Sequence, residues 1–250
     1  MNRLRYHELV EADRDIQNPM SPDKLRRVID YLDIADGEHI VDVGSGKGWL
    51  MAELVRTRPV RIVGLEQSRV FADAAEKRLA TMPLVGSAEI VLGLAQDYPL
   101  PARPFDIGLC IGATMALGDL EGTLDWMARA VRPGGRIAVG EPFALRPMPM
   151  SVSERWPEYA RTLADVGAAL EARRFDLTGL VASSEDDWDH YESQHWRVAA
   201  NFLAAHPDDP DAAEIEAKTG ADRARYLAEE RACFGWAVFV ARKHAVRKRA

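Results

Sequence analysis

Cysteine is nearly absent, with 2 in 250 residues, Cys110 and Cys233. They stand far apart and in no metal-type spacing. That excludes a disulfide framework and a thiolate metal site, and makes a reducing, cytoplasmic setting the expectation. Long apolar runs are missing too. Nothing approaches the ~20 residues that span a bilayer, and the opening "MNRLRYHELVEADRD" lacks the apolar segment of a secretory signal. Positive charge is in deficit, 32 Lys and Arg against 39 Asp and Glu, for a net charge of −7. A surface built on phosphates needs the reverse, so no nucleic acid and no membrane is expected as partner. One cluster of basic side chains stands in the last eight positions, "KHAVRKRA", which read as a solvated, frayed tail. There are no repeats, no low-complexity stretch and no linker.

What is present is ordinary for a globular chain: 47% apolar and 28% charged residues. The length suits one α/β domain over residues 1–250. A polar segment, residues 1–20, precedes a helix from Pro22 capped by Ser21, with Leu25, Val28, Ile29 and Leu32 on one face. Strands are predicted at 39–44, 61–66, 88–94, 105–112, 136–141, 176–183 and 234–243. Helices are predicted at about 49–56, 69–81, 120–131, 154–173, 185–206 and 211–231. The first strands are short, apolar on both faces and separated by helices, the pattern of a parallel sheet with crossovers. The last two helices form an insertion, residues 184–231, before the final aromatic strand. Ser184 and Asp187 make a capping box at its start.

The stretch "IVDVGSGKGWL" (40–50) places Gly44, Gly46 and Gly48 between a strand and a helix. The dinucleotide fingerprint needs G-x-G-x-x-G, and here the third glycine comes one residue early. A P-loop needs Gly at 41 and Ser or Thr at 48, where Val41 and Gly48 stand. Lys47 is therefore incidental and is expected to point outward. Glycines at such a turn let a ligand approach the backbone, and the helix that follows offers free N–H groups. Glu66 ends the next strand, where a carboxylate can accept from both hydroxyls of a ribose. Turn and acid together suggest a nucleoside without a phosphate tail.

These motifs resemble those of class I S-adenosylmethionine-dependent methyltransferases. "VDVGSGKG" is similar to the first motif, "VGLEQS" to the second-strand acid and "GLAQDYPL" to the adenine stretch. "FDIGLCIGA" is similar to the fourth strand and "AVRPGGRIAVGEP" to the link into the fifth. "NPM", "CIGAT", "GEPF", "DDWDHYE" and "FGWAVF" further resemble small stand-alone bacterial methyltransferases. The resemblance implies an α/β, doubly wound, seven-stranded, mostly parallel sheet of order 3-2-1-4-5-7-6, its last strand antiparallel. It implies S-adenosylmethionine as cofactor. Gly44, Ser45, Gly46 and Gly48 would wrap the methionine portion, with Asp42 orienting the turn or reaching the amino group. Glu66 would bind the ribose beside Gln67, and Cys110, Ile111 and Gly112 would lie beneath the sulfonium. Leu94 stands where the family usually has an acid, so Ala95, Gln96 and Asp97 are the candidates around the adenine.

An acceptor would lie beyond the carboxyl ends of the strands. Residues 1–20, 142–160 and 184–231 are placed to cover that face, which favours a small molecule over a polymer. Trp188, Tyr191 and Trp196 form an aromatic stripe on the inserted helix and are the substrate candidates, although such a stripe is usually a packing face. Glu141, at the end of the fifth strand, is the candidate base, with a salt-bridge or cap role as its alternative. Cys110 reads as a core residue, and His190 and His195 as solvated or hydrogen-bonded. Metal ligands are not expected. Oligomeric state is open between monomer and homodimer. The rival readings are a non-catalytic nucleoside-binding module and an NAD-dependent oxidoreductase.

Overall fold

The computed structural model describes residues 1–100 and 102–245, apart from the side chain of Glu158. Along the chain run α1 (Arg3–Val10), α2 (Pro22–Leu32), β1 (His39–Val43), α3 (Trp49–Thr57), β2 (Arg61–Glu66) and α4 (Arg69–Ala80). Next come β3 (Ser87–Leu92), β4 (Phe105–Ile111), α5 (Leu120–Ala130), β5 (Val131–Ala144), α6 (Met150–Ser153) and α7 (Leu163–Ala172). The chain continues through β6 (Phe175–Ala182), α8 (Glu185–Ala205), α9 (Ala212–Arg225), α10 (Arg231–Cys233) and β7 (Phe234–Lys243). The seven strands form one sheet of order β3-β2-β1-β4-β5-β7-β6, in which β7 alone runs antiparallel to its neighbours.

Local signals account for much of this. Ser21 accepts from the N–H of Lys24, Pro22 fills the first turn, and Leu25, Val28, Ile29 and Leu32 are all buried. Alternate strand positions then feed two layers. Ile40, Ile62, Ile107 and Ala138 pack under α2 and α3, through Val28, Leu32, Met51 and Leu54. Val41, Leu65, Cys110, Ile137 and Val139 pack under α5 and α7, through Leu124, Met127, Val166 and Leu170. With a helix layer on each face, the central strands β1 and β4 are buried on both sides, while the edge strands β3 and β6 show exposed positions. Each of the Val, Leu, Ile and Met side chains in these two layers contributes roughly 1.5–3 kcal/mol on burial.

Several expectations need correction. The helix expected over 154–173 is broken: Pro157 opens a separate 3-10 turn, and α7 starts afresh from a Thr162–Asp165 capping box. The helix expected over 211–231 is interrupted by a π turn at Tyr226–Glu230. Residues 1–20 include α1, a helix their scattered apolar positions did not announce. β5 does not stop at Glu141 but pairs with β7 as far as Ala144. Pro142 is tolerated there because β4 has already ended, which leaves β5 with a free edge. The start of the basic tail is not frayed either. Lys243 donates to the carbonyls of Ala128 and Val131, and His244 meets Asp176 at 2.8 Å. Residues 246–250 lie outside the described residues. Among the described residues no helix is long and apolar enough to cross a membrane.

Candidate active site

Beyond β1 the chain turns through Gly44, Gly46 and Gly48 with φ of +68°, +55° and +69°. A Cβ at Gly44 would stand 2.2 Å from the Cβ of Ala113, and one at Gly46 would stand 2.1 Å from Oε1 of Gln17. The turn is thus both left-handed and crowded, and glycine answers both demands. The N–H groups of Gly44 and Ser45 donate to the carbonyl of Leu65 at 2.8 and 3.2 Å. Glu66 closes the turn, its Oε2 accepting from Gly46 N–H at 2.9 Å and its Oε1 from Ser68 N–H at 2.7 Å.

Two carboxylates lie side by side here. Asp42, 5% exposed, is pushed up to about 7 by burial and then by the charge of Glu66. Burial raises Glu66 as well, and the N–H groups of Ser68, Gly46 and Gln67 hold it back. At the end of β4, Ile111 and Gly112 border the turn. Cys110 instead points into the α5 side of the core, and its thiol is pushed up by burial and by Glu141 and Asp42. Only its backbone can face the site. Ala95 is buried at the start of a 3-10 turn, Ala95–Asp97, while Gln96, Asp97, Gln67 and Leu94 are exposed around it.

Lys47 does not point outward; it is 8% exposed. Its Nζ donates to the carbonyls of Glu11, Ala12 and Arg14 at 2.8, 2.6 and 3.0 Å. The 11–18 segment so held runs along the glycine turn, with Gln17 Oε1 accepting from Lys47 N–H at 2.9 Å. Asn18 lies beside Gly112, 3.4 Å from where a Cβ there would be. Gln17 was not singled out from the sequence, and Asn18 entered only within the motif "NPM", without a role; "QNPM" carries no spacing signal for a contact thirty residues away.

The stripe on α8 divides. Tyr191 serves the fold: its hydroxyl donates to Glu11 at 2.9 Å, and Arg14 stacks on its ring at 4.3 Å. His195 joins the same carboxylate at 2.8 Å. Trp196 packs edge-on against Tyr226, with ring centroids 5.8 Å apart. Trp188 alone bridges two clusters, one holding Trp236 and the other Val152, Cys233 and Phe234. Trp236, which the sequence reading left within a motif, rests on Gly140. A Cβ at Gly140 would lie 2.5 Å from its ring, and one at Gly112 3.6 Å away. Glu141 is buried one residue on, with Val139 and Phe143 on the α5 face, the opposite side of the sheet from Asp42 and Glu66.

Residues 41–139 match the methyltransferase domain family. Sheet order, glycine turn and domain together mark the chain as an S-adenosylmethionine-dependent methyltransferase, with S-adenosylmethionine as its cofactor. It is similar along almost its whole length to the Escherichia coli K12 protein YjhP, 27% identical over 96% of this chain and 98% of that one. A Geobacter sulfurreducens SAM-dependent methyltransferase crystallised with S-adenosyl-L-homocysteine superposes with a TM-score of 0.87. It is 28% identical, over 95% of this chain and 97% of that one. The 27-O-demethylrifamycin SV methyltransferase of Amycolatopsis mediterranei is 25% identical over 87% of this chain and 81% of its own.

The residues present fit that cofactor. The three glycines bend the backbone at positive φ, where a Cβ would strike Ala113, Gln17 or Ala75 of the chain itself, so the turn keeps a bare backbone. Ser45 Oγ and Asn18 Oδ1, on either side of it, are buried with no hydrogen-bond partner among the described residues. Glu66 keeps acceptor capacity, since a carboxylate offers about four lone-pair sites.

Proposed function

We propose that this methyltransferase acts on a small-molecule acceptor held under a lid formed by residues 184–231. The observation that carries this reading is Trp236, lying on Gly140 beside Gly112 at the end of β4, with Trp188 of α8 packed over the same cluster. The acceptor side is therefore aromatic and roofed, a shape suited to a compact, partly apolar molecule. The rifamycin relative, named for a small-molecule acceptor, supports the class but not the compound.

Bound S-adenosylmethionine supplies an electrophilic sulfonium methyl. In this reading Glu66 takes the ribose hydroxyls, and Gly44, Ser45, Gly46 and Gly48 admit the methionine portion with Asp42 beneath. The backbone of Cys110, Ile111 and Gly112 lies below the reacting end. Ala95, Gln96, Asp97 and Gln67 border the adenine. Trp188 and Trp236 hold the acceptor in line and exclude water, with Trp196 and Tyr191 supporting the lid. Glu141 lies on the α5 face of the sheet, away from Trp188 and Trp236, and is not placed to take a proton from an acceptor held there.

Incubation with S-adenosylmethionine and a panel of phenols, amines, carboxylates and thiols, alongside RNA and protein, tests the reading. Formation of S-adenosylhomocysteine with members of the small-molecule panel is expected. Turnover with RNA or protein alone would overturn it.

A further inference from the structure

Lys47 sits at the centre of a glycine turn yet faces away from the cradle that turn forms. Its ammonium lies where the carbonyls of Glu11, Ala12 and Arg14 converge, just past the C-terminal end of α1. A lysine has three N–H donors, and all three are used. A cation is also the favoured charge at a helix C-terminus. Burying an ammonium is costly unless it is fully hydrogen-bonded, and this one is matched in full. The arrangement has the completeness of a binding site whose ligand is the chain itself.

The same turn grips the segment twice more. Gln17 Oε1 accepts from Lys47 N–H at 2.9 Å, and Arg78 donates to the carbonyl of Lys47 at 3.0 Å while pairing with Asp15. From above, Glu11 is fixed by Arg14 at 3.0 Å, His195 at 2.8 Å and Tyr191 at 2.9 Å. Between these anchors, Gln17 and Asn18 lie against Gly46 and Gly112, the two sides of the methyl-donor cradle.

We propose that Lys47 is a positioning residue that fixes residues 11–18 as a strap forming one wall of the S-adenosylmethionine site. It acts through the strap and does not touch the cofactor. The strap brings Gln17 against the glycine turn and Asn18 Oδ1, an acceptor with no partner among the described residues, to the cradle's edge. Releasing it would unroof the methionine end of the site. Because Glu11 of the strap is also held by α8, the lid and the cofactor wall move as one unit.

The test is Lys47→Met, which keeps the stem and removes the donors. Calorimetry and stopped-flow with S-adenosylhomocysteine as probe are expected to show Kd raised 10-fold or more, with the change in the off-rate. Hydrogen exchange should show amides 11–18 losing protection while β1, β4 and β5 keep theirs. Gln17→Ala should weaken binding too, and the double variant should cost less than the sum of the singles, as for residues acting through one element. A folded Lys47→Met with wild-type affinity, or strictly additive losses, would overturn the proposal. If the variant fails to fold, the wild-type protein decides. Strap amides should gain protection on saturation with S-adenosylhomocysteine, and unchanged exchange there would sink the idea.

Discussion

Glu66 and Gly46 hold one another: the Glu66 carboxylate accepts the Gly46 N–H at 2.9 Å across twenty residues of chain. The acid assigned to the ribose is therefore also what sets the glycine turn, and cradle and carboxylate are one construction.

Gly46→Ala should show this from the turn side. An alanine at φ +55° is strained, and its Cβ would meet Gln17 at 2.1 Å. A loss of at least 10-fold in S-adenosylhomocysteine affinity, about 1.4 kcal/mol, is expected by calorimetry. Glu66→Ala should lose more, since it removes the ribose acceptor and frees the turn. Wild-type affinity in both variants would contradict the assignment.

Asp42 should leave a mark on the pH dependence of stability. Its carboxyl is pushed up to about 7 in the folded chain, against roughly 4 when unfolded. Between those values the folded state binds the extra proton, so stability falls as pH rises from about 4 to about 7 and levels off above. Glu66 is raised as well and adds a contribution of the same sign. Asp42→Asn should flatten the greater part of the slope in urea titrations run across that range.

His195→Ala should destabilise the fold by about 2–3 kcal/mol, because it strips a partner from Glu11, a carboxylate with no exposed surface. Burial works against the imidazolium, but hydrogen bonds to Glu11 and Glu192 outweigh it and raise His195 above 6.5. Burial likewise opposes the Glu11 charge, and His195 and Arg14 hold that carboxyl below 4.5. The His195 share is complete below 6.5 and lost as pH rises through its folded value. The Glu11 share is complete above 4.5 and lost as pH falls. The stability gap between wild type and variant should therefore be widest between 4.5 and 6.5 and narrow as pH rises through the raised folded value of His195.

Gly140→Ala tests the aromatic floor. The added methyl would reach within 2.5 Å of Trp236 and 3.0 Å of Ile111. A destabilisation of about 1–3 kcal/mol is expected, with a shift in tryptophan fluorescence as the ring is displaced. An unmoved spectrum and midpoint would show the ring to be elsewhere.

The sequence announced what is local or periodic. β2 at 61–66, β7 at 234–243, the Ser21 cap and the Ser184–Asp187 box all lie where neighbouring residues dictate them. The glycine turn and Glu66 were legible because a ligand's chemistry ties them at fixed spacing. Lys47 was misread because its partners, Glu11, Ala12 and Arg14, are distant in sequence and are reached through backbone carbonyls, which leave no trace in residue type. β5 was read too short because Pro142 looks like a strand breaker until one knows that β4 ends before it. Tyr191 carried the right composition for a substrate contact but is spent on Glu11, a choice that only packing decides.

The strap that Lys47 holds has its other partners, Tyr191 and His195, 180 and 184 positions later. Closing so long a loop is entropically costly and must wait for the sheet to form. On a ribosome the wall of the cofactor site is thus made well before the inserted helices and seated only after they have emerged. Cofactor affinity in this chain is accordingly a late folding event, and a nascent or truncated polypeptide can carry an intact glycine turn and still be unable to retain its methyl donor.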